Sequence, residues 1–71
     1  MVYKSVVFLD NEDPFNKVLH TFANYTLEKA LLYFLVDNAR ANGIVLVHED
    51  GEFHYRGTIA DVKKEYGINK E

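Results

Sequence analysis

Histidine, carboxylate and hydroxyl side chains are the groups through which this chain could do chemistry, and their spacing decides whether they meet. There are three histidines, His20, His48 and His54, and histidine is both the side chain that titrates near neutrality and a common metal ligand. Two of them lie in IVLVHEDGEFHYR, where Asp50-Gly51 suits a two-residue type I′ turn with positive φ at both positions. That turn sets Glu49 opposite Glu52, His48 opposite Phe53, Val47 opposite His54, Leu46 opposite Tyr55 and Val45 opposite Arg56. His48 and His54 then point to opposite faces and share neither a metal nor a substrate. No histidine-centred or metal site is expected.

The carboxylates cluster twice. Asp10, Glu12 and Asp13 lack the glycine and the distal glutamate of a calcium loop and read as a solvated turn. Glu49 and Glu52 face each other across the hairpin, which costs stability unless a cation or a basic partner side chain lies between them. Nucleophilic catalysis finds no footing, because cysteine is absent and Ser5, the only serine, has no neighbouring base. The glycines stand singly at 43, 51, 57 and 67, so no phosphate-cradling loop is present. The expectation is a protein with no catalytic residues and no cofactor.

The elements that would position these groups must come from a short chain. Its 71 residues make one domain, 1–71, with a small buried fraction. A hydrophobic share of 48% with 14% aromatics supports a packed core rather than disorder. Without cysteine, oligomerisation is the remaining route to added stability, and a homodimer is one expectation. A net charge of −3 gives no footprint for nucleic acid or an acidic membrane. The opening MVYKSVVFLDNEDP is too short and too polar for a signal peptide or membrane span, so the expected location is cytoplasmic.

Residues 2–9, VYKSVVFL, read as a strand. In PFNKVLHTFANY, Phe15, Val18, Leu19, Phe22 and Tyr25 fall at helical spacing after an Asp13-Pro14 start, favouring a short helix near 14–24; the rival is a strand over 17–24. Thr26 caps a long helix, 27–42, striped by Leu27, Ala30, Leu31, Phe34, Leu35, Asn38 and Ala39 and stopped by a left-handed Gly43. Leu32, Tyr33 and Val36 widen its apolar arc, to be covered by the first helix or by a second copy. In the hairpin 44–56, the face Ile44, Leu46, His48, Phe53 and Tyr55 is assigned to the core, leaving Val45, Val47, His54 and Arg56 on a mixed face. Thr58 caps a closing helix near 59–66, with Asp61 in its first turn, Ile59, Val62 and Tyr66 docking, Gly67 as its stop, Ile68 as the contact after it and 69–71 as a tail. No internal repeat is evident. The fold expected is α+β: a three-stranded, mainly antiparallel sheet with the long helix across one face. The alternative is a four-stranded ββαββα arrangement.

Residues 26–56, helix then hairpin, resemble the recognition helix and wing of a winged-helix DNA-binding domain. Glu28, Asp37 and the tip Glu49, Asp50, Glu52 would repel phosphate there, so nucleic acid is not an expected partner. TLEKAL, IVLVHEDGEF and TIADV together resemble the end of a CBS motif, whose family binds adenosine nucleotides through a T-x-x-D on its closing helix. That resemblance implies that Thr58 and Asp61 would touch a ribose, although an N-cap followed by Asp accounts for both.

Plentiful apolar surface without convergent polar chemistry points to a non-enzymatic regulatory or adaptor protein that binds another protein. Compact acidic chains beginning at their own Met1 fit an accessory protein of bacteria or phages that modulates a host protein. The expected contact residues are Tyr33, Val45, Val47, His54 and Arg56. The competing expectation is a nucleotide-type small-ligand module completed by dimerisation.

Overall fold

The computed structural model describes residues 1–38 and 42–67. Among them the chain runs β1 (Val2–Leu9), β2 (Val18–Thr26), α1 (Leu27–Asp37), β3 (Ile44–Glu49), β4 (Glu52–Thr58) and α2 (Ile59–Glu65). The strands form one antiparallel sheet in the order β2-β1-β3-β4. The class is α+β, but the sheet has four strands rather than three, and the order ββαββα is the alternative drawn from the sequence.

Residues 14–24 are therefore not a helix. β1, rich in β-branched residues, lies inside the sheet and needs backbone partners along both edges, and β2 supplies one of them. The Asp13-Pro14 pair that suggested a helix start belongs to the hairpin loop. There Asp10 Oδ1 accepts from the Glu12 N–H (2.9 Å), Asp13 Oδ2 accepts from the Lys17 N–H (2.9 Å), and the Asp10 N–H donates to the Lys17 carbonyl (2.8 Å). Phe15, counted in the helical stripe, is 90% exposed. Two irregularities hide the strand's alternation. The pairing slips by one residue between Phe8 and Leu9, leaving Leu19 extra, and Asn24 takes φ +62°. Tyr25 thereby joins Phe22 on the helix side, their rings 5.1 Å apart.

α1 starts where expected: Thr26 stays extended and its Oγ1 accepts from the Lys29 N–H at 3.1 Å. Leu27, Ala30, Leu31 and Phe34 are buried at helical spacing. It ends at Asp37, short of residue 42, because Asn38 closes it by donating from both N–H and Nδ2 to the Phe34 carbonyl, at 3.0 and 3.2 Å. Residues 39–41 of the expected helix lie outside the described residues. Gly43 is not a left-handed stop. It is a point of close approach, where a Cβ would collide with the Leu9 carbonyl oxygen and lie 2.9 Å from Ile59 Cδ1.

The β3–β4 turn is the one its residues demand, with Asp50 at φ +57° and Gly51 at +79°. Pairing follows the expected register from Glu49–Glu52 to Leu46–Tyr55, then slips: Val45 faces Gly57 instead of Arg56, which is the extra residue of a bulge. α2 opens on a capping box, with Thr58 Oγ1 accepting from the Asp61 N–H (3.1 Å) and the Thr58 N–H donating to Asp61 Oδ2 (3.4 Å). Gly67 is left-handed at φ +69°. Ile59 and Val62 dock, whereas Tyr66 is exposed; Ile68 and 69–71 lie outside the described residues.

The two faces of the hairpin are the reverse of the sequence assignment. Val45 (0% exposed) and Val47 (1%) join Val6 and Phe8 under both helices, while Phe53 (56%) and Tyr55 (62%) stand outside with half-buried Ile44, Leu46 and His48. The physical reason is the pairing with β1: Val6 lies opposite Val47 and Phe8 opposite Val45, so the valines share the face on which the helices bury Leu31, Phe34, Ile59 and Val62, and the alternating residues of the hairpin stand on the other.

The halves also repeat. β1-β2-α1 and β3-β4-α2 each run as hairpin, Thr cap and helix, with Leu27 and Ala30 of one matching Ile59 and Val62 of the other as buried residues. No side-chain pattern in the sequence announces this, because the first hairpin carries a much longer loop.

Candidate functional site

α1 lies over β2 and β1, anchored by Phe34 stacked on Phe8 at 4.3 Å and by Phe22 edge-on to Phe8 at 5.8 Å. This packing uses one face of the helix and leaves Leu32, Tyr33 and Val36 exposed. No helix forms near 14–24 to cover them. Tyr33, half exposed, meets Tyr25 edge-on at 5.7 Å. On one side of that ridge a groove of about 440 Å³ runs between α1 and β2, lined by His20, Phe22, Val36 and Asp37. On the other, a groove of about 220 Å³ is lined by Val2, Asn24 and Lys29. Lys29 and Asp37 thus set opposite charges at the two ends of an aromatic surface.

Such an arrangement offers apolar area with a few polar handles, the composition of contact hot spots. His20 and Asp37 both line the larger groove. His20 lies 4.4 Å from the Phe22 ring. His48 and His54 fall on opposite faces, as the turn requires, and among the described residues no group of three His, Asp or Glu gathers as a metal site.

Of the expected contact residues, Tyr33 stands on this surface. Val45 and Val47 are in the core and present nothing to a partner. His54 is exposed on β4, the opposite edge of the sheet from β2. Arg56 is engaged within the chain, its Nη2 donating to Glu65 Oε1 and Oε2 at 3.1 and 3.0 Å. That hydrogen bond raises the guanidinium pKa further above its ordinary value, against the opposing effect of desolvation. Arg56 Nε is buried without a hydrogen-bond partner among the described residues. The five residues thus do not form one site. Thr58 and Asp61, the ribose contacts implied by the CBS resemblance, bond to each other in the capping box. His20, Phe22 and Val36 were not foreseen as contacts; the wide apolar arc of α1 was the available signal for Val36, and the misread strand hid the other two.

No helix among the described residues is long and apolar enough to cross a membrane. No protein-family model matches this chain, and neither a curated protein nor a solved structure matches it.

Proposed function

We propose that this chain is a non-enzymatic regulatory or adaptor protein that binds another protein through the flank formed by α1 and β2, acting in the cytoplasm as a bacterial or phage accessory protein that modulates a host protein. The observation that carries this is the Tyr33 ridge: a half-exposed tyrosine that lines both grooves, with exposed Leu32 and Val36 beside it. Large amphipathic rings bordered by apolar grooves concentrate binding energy at protein contacts. The test is affinity capture from the source organism with two baits, the natural chain and a Tyr33→Ala/Val36→Asp variant of unchanged circular dichroism. A stoichiometric partner held by the first and lost by the second is the expected result; equal retention by both baits, or empty beads, would refute it.

A second reading, a small-ligand module, is favoured by the larger groove alone, whose 440 Å³ lies in the size range of small-molecule sites. Thr58 and Asp61 do not line it. A nucleotide at a hundredfold excess over its dissociation constant would stabilise the fold by about 2.7 kcal/mol. A thermal shift of several degrees would select this reading, and no shift would remove it.

A further inference from the structure

The sheet has a second face that no described element covers, and its relief is uneven. Two rows cross the four strands there: Thr21–Val7–Leu46–Tyr55 and Ala23–Ser5–His48–Phe53. The β4 edge carries the tall rings Phe53 and Tyr55, both more than half exposed, and the β2 edge carries only Thr21 and Ala23. Val7 and Leu46 fill the middle of the first row, and Ser5 and His48 that of the second. Neither row contains a charged side chain, although the chain carries a net charge of −3.

We infer that this face is covered by a second copy of the chain, in a two-fold dimer that packs sheet against sheet. The relief selects that occupant. A two-fold axis lying between the sheets and parallel to the strands brings β4 of one copy over β2 of the other, so the tall edge of each seats on the short edge of its partner. The surface is thus complementary to itself, as an isologous interface requires. Charge agrees: the neutral face is where two acidic chains approach with least repulsion. Area agrees as well. Four strands about 4.8 Å apart, with about six residues each at about 3.3 Å per residue, span roughly 400 Å² in projection. Counting accessible rather than projected area, two such faces bury about 1,000 Å², where specific interfaces begin. The dimer also gives the small sheet apolar cover on both sides. The α1–β2 flank faces away from it, so this inference stands or falls independently of the function proposed above.

Sedimentation equilibrium of the full chain over a series of micromolar concentrations tests it. The expected mass is twice the 8.2 kDa of the chain. Ala23→Trp, which fills the short edge, and Tyr55→Lys, which removes a ring from the tall edge and adds a charge, should each raise the dissociation constant about tenfold or more with unchanged circular dichroism, while Tyr33→Ala leaves the dimer intact. A wild-type monomer across the series would overturn the inference, including one that binds a hydrophobic dye or a different protein through this face. A dimer indifferent to both variants would overturn it too, as would loss of the fold in both.

Discussion

Replacing Val47 by threonine tests which side of the hairpin faces the helices. Val47 is 1% exposed, and its neighbours across the sheet, Val6 and His54, contribute a methyl pair and an exposed ring. Threonine keeps the shape and the strand preference, so the change exchanges one buried methyl for a hydroxyl. Losing the methyl forfeits about 0.8 kcal/mol, and leaving the hydroxyl without a partner costs about 1–3 kcal/mol, for a total of about 2–4 kcal/mol. A chain of 71 residues at about 0.05–0.15 kcal/mol per residue has about 4–11 kcal/mol to lose. The variant should stay folded but melt about 10–30 °C lower. The control is Tyr55→Lys on the other face, 62% exposed, whose aliphatic stem can lie along the sheet with the ammonium in water; its monomer should change by less than about 1 kcal/mol. Urea unfolding followed by circular dichroism at low protein concentration, where association contributes little, reads both. A silent Val47→Thr together with an unfolded Tyr55→Lys would mean that the opposite face is the core, and would refute the packing described.

Gly43→Ala should destabilise by more than the ~1 kcal/mol of an ordinary backbone substitution, because its Cβ would strike the Leu9 carbonyl oxygen and Ile59 Cδ1; a melting temperature equal to wild type would show that the two halves do not approach so closely. The Arg56–Glu65 pair is partly exposed, so Glu65→Gln should cost no more than about 1 kcal/mol. Its arginine is the partner with a raised pKa, so its contribution is complete below the unfolded value and fades only as pH rises through the folded one, far above neutrality. The difference between wild type and Glu65→Gln should therefore stay constant as pH moves from 6 to about 9, and a difference that vanishes within that window would contradict the assignment.

What could be read in advance was local chemistry. Asp50-Gly51 gave the turn and four of its pairings, and Thr26 and Thr58 gave both helix starts, because each rests on residues adjacent in sequence. What could not be read depended on distant contacts. β2 looked helical because Leu19 and Asn24 each disturb its alternation, and its strand state is imposed by pairing with β1. The hairpin faces were reversed because side-chain size favoured Phe53 and Tyr55 for the core, whereas the long-range pairing with β1 sets Val47 beside Val6 and Val45 beside Phe8 on the face under the helices. For the candidate site, Tyr33 and the apolar arc it shares with Leu32 and Val36 were legible. The groove beside it needs β2 as a strand, so a wrong local state concealed His20 and Phe22 with it.

The unequal hairpin loops have a kinetic consequence. β3 and β4 are joined by the two residues Asp50 and Gly51, β1 and β2 by the eight residues 10–17, and two doublings of loop length add about 1.2 kcal/mol to the entropy of closure. The C-terminal hairpin should form first, within about 1–10 μs, and present the free edge of β3 as a template. β1 then anneals to that edge from far away in sequence. Until it does, β1 of another molecule fits the same edge, which makes exchange of N-terminal halves between chains the characteristic misfolding route at high concentration.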